Sequence, residues 1–461
     1  MSNTKAEIFY YDIGDYLSRE QKRKIIKDFK SIENIPFEKI QSNKHGDWIN
    51  QRNDKFSTFI PIEPAKKFDE KSQSWFMVYS LGVNTNRDSW VYNFSEENLQ
   101  TNMKKTISFY NSQVNDLHEH RIITPDTKAD DFKNIDETKI SWSSSLIPKL
   151  DKEIKTDFCE TQIKKSMYRP FCKQNLYFGD LFIHRRGQFD LLFPTPQHRN
   201  LVICASCVGS QKGLSVGITD CIPDLHFVGD SQCFPLYWYE EFKSEQMFLF
   251  DGEEKFVRHE AVSDFILEQA RTKFGSTITK EDIFYYVYGI LHSKSYRETF
   301  AADLKKMLPR IPLVSEYKKF FAFVDAGRKL ADLHLNYEQV SAYEGVKITG
   351  TESENFCVQQ IKFLDKKDKS AIKYNDKIII SNIPQKAYEY VVNGKSAIEW
   401  IIERYAVTTD KKSGIPNNPN DWAVEQGKTR YILDLLLSII NVSVQTVDIV
   451  DNLPEVDWEE E

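Results

Sequence analysis

Several motifs that mark common enzyme classes are missing from this chain of 461 residues. It has no GxxxxGK(S/T) phosphate loop, which excludes a P-loop ATPase. No GxGxxG opens a helix after a strand, so a dinucleotide or adenosyl cofactor would lack its usual glycine turn. The Pro-Pro dipeptide that amino-methyltransferases place beside a flipped base is absent, and so is HExxH. Any enzyme activity would therefore depend on a site without one of these motifs.

Cysteines and long apolar runs are also scarce. Seven cysteines in a chain this long indicate free thiols in a reducing compartment rather than a disulfide framework. No uninterrupted apolar run reaches the roughly eighteen residues that span a bilayer. The N-terminus also lacks the basic and apolar regions of a secretory signal. We therefore predict a cytoplasmic protein.

The chain is acidic, with 61 Lys and Arg against 68 Asp and Glu and a formal net charge of −7. This balance argues against indiscriminate nucleic-acid binding, but a local basic surface would still attract nearby phosphates. Residues 161–200 depart from this acidic balance, because they hold seven Lys or Arg, two Asp and no Glu. They also hold seven Phe or Tyr. Such a mixture suits a nucleic-acid surface. It suits equally well a sheet core with a solvated basic face.

The first half of the chain divides into two parts by periodicity and composition. Residues 1–95 contain a short α/β segment, in which Ser18 and Gln21 form a capping box before a basic helix. Residues 96–160 begin with a helix that follows Ser95 and change at about residue 113 to a polar stretch. We predict that this stretch is a linker or a long connection.

The second half changes from strands to helices. Residues 161–260 are β-rich, with apolar side chains alternating from Phe189 to Phe193 and from Leu214 to Ile218. Residues 261–461 form a helical, α+β part, with predicted helices after Thr279, after a Ser295–Glu298 capping box and at AYEYVV. The predicted fold class is α+β: a β-rich central domain, a helical C-terminal subdomain and a short α/β N-terminal segment.

Four cysteines raise the possibility of a metal site. Cys204 and Cys207 form a CxxC pair, with Cys221 and Cys233 downstream, and four thiolates could hold zinc. The CxxC pair lies in a predicted strand, where residues three apart point to opposite faces. We therefore predict buried structural cysteines and no metal site.

Long segments of the chain resemble the C-terminal specificity region of type ISP restriction–modification enzymes. They include MYRPFCKQNLYFGDLFIHR, GSQKGLSVGITDCIPDLHFVGDSQCFPLYWY and YYVYGILHSKSYRETFAADLKKMLPRIPL. The resemblance extends to HGDWINQR and SLGVNTNRDSWVYNFS upstream and to RYILDLLLSIINVSVQTVDIV near the end. It thus covers nearly the whole chain.

The resemblance implies a function and a set of partners. Those bacterial enzymes join a nuclease, a translocase, an adenine methyltransferase and a target-recognition domain in one polypeptide. In them, AEIFYYDIGDYLSRE follows the cofactor and catalytic motifs of the methyltransferase. The resemblance therefore implies a methyltransferase tail and a module that recognises double-stranded DNA beside upstream domains or a separate polypeptide. No catalytic residue carries over, and S-adenosylmethionine and ATP with magnesium are expected only for the upstream domains.

DNA-contacting residues are predicted from the resemblance and from residue type. The loop GVNTNRD resembles a glycine-containing loop that approaches DNA in related methyltransferases, which makes Asn84, Asn86 and Arg87 candidates. In the β-rich part, the candidates for phosphate or guanine contacts are Arg169, Lys173, Arg185, Arg186, Arg199 and Lys212. Gln197 and Gln211 could read adenine edges. Each of these side chains could instead be an ordinary solvated group.

Two other functions remain open from the sequence. The chain could be a diverged methyltransferase or nuclease that acts alone, or a split subunit that docks on a separate methyltransferase core. Calorimetry with S-adenosylmethionine and a magnesium-dependent nicking assay would identify an enzyme. Co-purification with a methyltransferase polypeptide would identify a split subunit.

Overall fold

The computed structural model describes residues 6–14, 17–206, 208–209, 212–241 and 256–456. Its helices are α1 (Arg19–Asp28), α2 (Asp88–Val91), α3 (Glu96–Ile123), α4 (Ala129–Phe132), α5 (Ile147–Asp151), α6 (Phe189–Leu192), α7 (Asp264–Phe274), α8 (Lys280–Ile290), α9 (Lys294–Thr299), α10 (Ala301–Leu304), α11 (Tyr317–Leu335), α12 (Ala397–Arg404), α13 (Pro419–Glu425) and α14 (Tyr431–Asp451).

Its strands are β1 (Ile8–Tyr10), β2 (Glu38–Ile40), β3 (Ile60–Pro61), β4 (Ser80–Leu81), β5 (Tyr92–Asn93), β6 (Ile163–Arg169), β7 (Cys172–Tyr177), β8 (Val202–Ala205), β9 (Val216–Thr219), β10 (Ile222–Pro223), β11 (Gln232–Pro235), β12 (Tyr237–Glu241), β13 (Phe256–Glu260), β14 (Arg310–Ile311), β15 (Lys347–Thr349), β16 (Lys362–Phe363), β17 (Ile372–Lys373), β18 (Ile379–Ser381), β19 (Val391–Val392), β20 (Lys395–Ser396), β21 (Thr408–Thr409) and β22 (Pro416–Asn417). The mixture of helices and several small sheets confirms the predicted α+β class.

Two four-stranded sheets form the β-rich centre. In the first, the order is β10-β6-β7-β5, and β6 and β7 form a long antiparallel pair. In the second, the order is β4-β11-β8-β9. Every residue of β8, β9 and β11 is buried, so helices and loops cover this sheet on both faces. A third four-stranded sheet, β15-β18-β17-β16, lies in the C-terminal part, which the sequence predicted to be helical and α+β.

The apolar core consists of two clusters of side chains. One joins α3, the first sheet, α12 and α14, and the other joins the second sheet to α7, α8 and α11. In the second cluster, the Tyr286 ring stacks against Trp75 and Phe320, at centroid distances of 5.5 Å and 4.8 Å. Because both sheets share these clusters with helices, the core fixes the loops that leave the sheet edges.

Helix α14 is long and apolar enough, with a mean hydropathy of 1.6, to cross a membrane. The helix contains no long uninterrupted apolar run, because Asp, Asn and Ser lie within it. In the fold, 67% of that stretch is buried, and Leu433, Leu436 and Ile440 are fully enclosed. Among the described residues, the candidate span is therefore a core helix of this domain.

Several predicted helix starts are confirmed. Ser18 and Gln21 form the expected capping box, and Ser95 accepts a hydrogen bond from the Asn98 amide. Thr279 caps α8. The Ser295 capping box is wrong, because Ser293 caps α9 instead and its hydroxyl accepts from the Tyr296 amide at 3.4 Å.

Three other sequence-based assignments are also wrong. The polar stretch after residue 113 begins as the second half of α3, because Val114 and Leu117 continue the buried face of that helix. The alternation at residues 189–193 is a helical turn that buries Phe189 and Leu192, three residues apart. AYEYVV forms a 3₁₀ turn and strand β19 rather than an α-helix.

Helices α8 and α11 approach each other closely through two glycines. A Cβ on Gly327 would lie 1.9 Å from the Tyr285 carbonyl oxygen, and a Cβ on Gly289 would lie 2.3 Å from the Phe323 carbonyl oxygen. Both clashes involve backbone, which cannot move aside as a side chain can. The helices therefore depend on glycine for their contact.

We predict that Gly327→Ala destabilises the protein although alanine is the better helix former. Helix propensity alone would favour alanine by about 1 kcal/mol, and the backbone clash should outweigh this by roughly 1–3 kcal/mol. Urea denaturation would measure the change, with Asp325→Ala, an exposed site on the same helix, as the control. An unchanged or higher midpoint for Gly327→Ala would contradict the close approach of the helices.

Candidate nucleic-acid interface

The GVNTNRD loop is held by backbone hydrogen bonds to two neighbouring segments. The Val83 amide donates to the Pro223 carbonyl at 2.9 Å, and Asn84 and Arg185 exchange backbone hydrogen bonds of 3.0 Å and 2.8 Å. Gly82 is required here, because a Cβ would lie 2.6 Å from the Asp224 carbonyl oxygen. The fold therefore brings together Asn84 and Arg185, two candidates for DNA contacts that lie about a hundred residues apart in the sequence.

The tip of the loop presents Asn86 to solvent. The Asn86 amide donates to the Asn84 side-chain oxygen at 3.1 Å, which forms an Asx turn. Asn86 has a φ of 54°, a left-handed conformation that asparagine tolerates better than most residues. Its side chain makes no hydrogen bond to any described residue, so its amide is available to a ligand.

Arg87 points into the protein and anchors the loop. Only 4% of its surface is exposed. Its guanidinium donates to the Ser141 carbonyl at 3.1 Å, the Phe182 carbonyl at 2.6 Å and the Ser143 hydroxyl at 2.6 Å. Burial lowers the pKa of Arg87 to about 10. The protein's own oxygens thereby engage the guanidinium, so Arg87 anchors the loop, and its contact with DNA stays a prediction.

Arg169 belongs to a buried polar cluster rather than to the solvated face. It donates to Asp224 at 2.6 Å, and its second terminal nitrogen lies 3.5 Å from Asp88. The Tyr168 ring lies against the guanidinium, 3.9 Å from its centroid, and the Tyr92 hydroxyl donates to Asp224 at 3.2 Å. These partners occupy Arg169, so it also supports the fold beneath the loop.

Asp224 is the carboxylate at the centre of this cluster. Only 2% of it is exposed, and burial raises the pKa of Asp224 to about 7, although Arg169 opposes the shift. Asp220, four residues earlier, is exposed and lies 4.0 Å from Lys173. The two acids therefore occupy different environments.

Two further predicted cations are engaged by acidic groups. Arg186 pairs with Asp180 at 2.9 Å and Asp190 at 2.6 Å. Lys173 lies 3.4 Å from Glu338. A phosphate would have to displace carboxylates to reach either residue, so both are poorer ligands than the sequence predicted.

Three predicted cations remain exposed: Arg185, Arg199 and Lys212. None has a side-chain acceptor in the part of the chain that the structure describes. Gln197 is exposed too, and its side-chain oxygen accepts from the Thr195 hydroxyl at 2.9 Å. Gln211 lies outside the described residues. The contacts of these residues with DNA stay predictions.

Neither a metal site nor a nucleophilic serine is formed in the described regions. Cys204 and Cys233 face each other across β8 and β11 with sulfurs 3.5 Å apart, and Cys207 lies outside the described residues. GLSVG at residues 213–217 has the GxSxG spacing of a nucleophile turn. Ser215, however, is buried and its hydroxyl accepts from the Asn393 amide at 2.8 Å. That serine supports a loop and has no histidine partner among the described residues.

A hairpin that sequence reasoning missed faces the loop. β21 and β22 border a cleft of about 530 Å³, and Asn86 lines its opposite side. The turn-forming residues DKKSG are the signal in the sequence that indicates this hairpin. The cleft brings an element from residues 408–417 beside the predicted loop.

We predict that Asp224→Asn changes the pH dependence of stability. The pKa is raised in the folded protein, so the folded state binds the proton more tightly and wild-type stability falls as pH rises from about 4 to 7. An asparagine side chain cannot titrate, so the variant does not lose stability in this way. The free energy of unfolding of the variant relative to wild type should therefore rise between about pH 4 and pH 7, by at most about 1.4 kcal/mol per pH unit. Denaturation at pH 5, 6 and 7 would measure it, with Asp220→Asn as the control. An equal slope for wild type and variant would mean that Asp224 stays ionised beside Arg169.

The chain is similar to a known domain family and to solved structures. The family model of the Type ISP C-terminal specificity domain matches residues 74–435. A nuclease-deletion mutant of the Type ISP restriction-modification enzyme LlaGI, solved with a DNA substrate mimic, is 38% identical with a TM-score of 0.83. The ATP-dependent Type ISP enzyme LlaBIII bound to DNA is 37% identical with a TM-score of 0.83, and the DrdV–DNA complex is 27% identical with a TM-score of 0.79.

The coverage of these matches is unequal. They cover 100%, 98% and 98% of this chain but only 40%, 28% and 43% of the LlaGI, LlaBIII and DrdV chains. No curated protein matches. Because the family model matches well over half of the chain, the chain belongs to the Type ISP C-terminal specificity domain family.

Proposed function

We propose that this chain recognises a sequence in double-stranded DNA as the specificity module of a type ISP restriction–modification system. The observation that carries the proposal is the match over residues 74–435 to a specificity-domain family, together with likeness to enzymes solved on DNA. The exposed loop end at Asn84 and Asn86, beside the free guanidinium of Arg185, is the local geometry that suits such a role.

In this proposal, different residues contact the phosphates and the base edges. Arg185, Arg199 and Lys212 neutralise phosphates and supply affinity. Asn86 and Gln197 offer amides that can bond a base edge in pairs. Arg87 and Arg169 hold the loop and the sheet beneath it.

The N-terminal part suits a protein partner better than DNA. Helix α1 has no buried residue, and Phe9, Ile26 and Ile32 are 54%, 61% and 72% exposed. Apolar side chains exposed along one segment mark an interaction surface. We propose that residues 6–40 dock on an upstream methyltransferase domain or polypeptide, which also accommodates the split-subunit alternative.

Chemistry is assigned to other domains in this proposal. S-adenosylmethionine and ATP with magnesium are used by the upstream domains, and this chain supplies no catalytic residue. The alternative of a diverged methyltransferase or nuclease would need a site of its own. The setting of the proposed function is the bacterial cytoplasm, where the DNA is.

We predict that Arg185→Ala with Arg199→Ala weakens binding to all duplexes alike. Each lost phosphate contact should reduce the slope of log K against log salt by about 1, so the double variant should lose about 2. Fluorescence anisotropy on a randomised duplex library between 50 and 200 mM salt would measure this.

The matched control for the arginine pair is Arg328→Ala, because that guanidinium already pairs with Glu281 and Asp282 at 2.9 Å. It should leave the salt slope unchanged. The proposed function fails if wild type binds no duplex in the library at low salt.

We predict that Phe9→Ser with Ile26→Ser weakens binding to a type ISP methyltransferase core at least tenfold, because two apolar anchors are lost. Biolayer interferometry with the purified core would measure the affinity. Ile122→Ser, at a position 74% exposed near the end of α3, is the control. Equal affinities for all variants would place the docking surface elsewhere.

A further inference from the structure

The cleft between the loop and the hairpin is a preformed site. Its hairpin wall is fixed to the first sheet, because the Phe94 amide donates to the Asn417 side-chain oxygen at 3.0 Å and the Asn417 amide donates to Gln174 at 3.1 Å. The hairpin turn is closed by Asp410, which accepts from the Ser413 amide at 2.8 Å. Its other wall carries Arg87, whose anchoring is described above. A cleft of about 530 Å³ with fixed walls has the size of a small-molecule site.

The charges around the cleft disfavour an anion. Asp88, Glu137 and Asp410 line it with two cations, Arg87 and Lys412. Arg87 directs its donors to protein oxygens, and Lys412 pairs with Glu137 at 2.9 Å. Asp88 lies 3.5 Å from Arg169, so the charges largely pair with one another and no cation of the lining is free to bind a phosphate. A neutral ligand with several hydrogen-bonding groups suits the cleft better.

Uncommitted polar groups and aromatic rings line the same space. Within the described chain, the side chains of Asn86, Ser89 and Thr409 have no hydrogen-bond partner. Only 5% of the Trp90 surface is exposed. Its indole N–H nevertheless has no acceptor among the described residues. The Tyr168 ring adds an aromatic surface to the lining. Amide, hydroxyl and indole groups beside aromatic rings are what a planar heterocycle uses for hydrogen bonds and stacking.

We propose that this cleft binds one unpaired nucleobase of the DNA target. The proposal rests on the proposed function, since it assumes that the chain meets a duplex. Asn86 and Ser89 bond the base edge from the loop side, and Thr409 does so from the hairpin side. The ribose and phosphate remain outside, because the cations of the lining are already engaged by protein groups. The specificity module thereby reads one base by its own pocket, in addition to contacts along the grooves.

Free nucleosides test the pocket without a duplex. Saturation-transfer NMR with adenosine, cytidine, guanosine and thymidine should show transfer from the protein to at least one base, and its 5′-monophosphate should bind several-fold more weakly at low salt. Asn86→Ala, and separately Ser89→Leu with Thr409→Leu, should reduce the transfer at least threefold. Asn115→Ala, on an exposed face of α3, is the matched control. Absence of transfer from all four nucleosides, or transfer unchanged in both cleft variants, overturns the proposal.

Mismatched duplexes test the pocket in its proposed setting. Starting from the duplex that wild type prefers, a mismatch at one position should tighten binding about tenfold, because unpairing that base no longer costs free energy. The Ser89→Leu, Thr409→Leu variant should lose this gain while retaining groove binding. If the matched duplex binds but no mismatch helps wild type, the pocket proposal fails and the proposed function stands. If no duplex binds, the proposed function fails.

Discussion

The GVNTNRD loop depends on a buried guanidinium that has no carboxylate among its hydrogen-bond partners. Arg87 donates to two carbonyls and one hydroxyl, and a buried charge is tolerable only when such bonds replace its water. The acceptors come from two separate parts of the chain: Ser141 and Ser143 precede α5, and Phe182 follows β7. The bonds therefore fix the loop relative to the first sheet and hold Asn86 at the surface. Replacing Arg87 would free the loop and leave its acceptors unsatisfied.

A second buried group supports the same loop from below. The Asp224 carbonyl lies against Gly82, and the Asp224 carboxylate binds Arg169 and the Tyr92 hydroxyl. Backbone and side chain of one residue thus connect the loop to the β6 strand. Because the carboxylate is buried against Arg169, its protonation would change the charge directly beneath the loop. The geometry of Asn86 is consequently coupled to the packing of the first sheet rather than to the loop sequence alone.

Local patterns in the sequence predicted where helices begin better than they predicted what individual side chains do. Capping residues such as Ser18, Ser95 and Thr279 act on amides within one turn, so their effect is readable from neighbouring letters. The basic and aromatic composition of residues 161–200 indicated a surface, but its cations have three different environments. Arg169 is buried beside Asp224, Arg186 pairs with two acids, and Arg185 is exposed. These differences depend on acids and sheet edges brought close only by folding, which composition does not encode. The cleft was missed for the same reason, since its walls are more than three hundred residues apart.

The distribution of charge explains how an acidic chain can serve a polyanion. Two of the four arginines in residues 161–200, Arg169 and Arg186, pair with acids of the protein, so they add little to the field outside. Arg185, Arg199 and Lys212 are exposed without a described carboxylate partner, and in the proposed function they would hold phosphates at chosen points without attracting every duplex. In the proposed arrangement, a cleft whose cations are already engaged offers the DNA backbone no anchor while it accepts a neutral base. Weak general attraction combined with a selective local site raises the ratio of specific to non-specific binding, which is the quantity that matters for target choice.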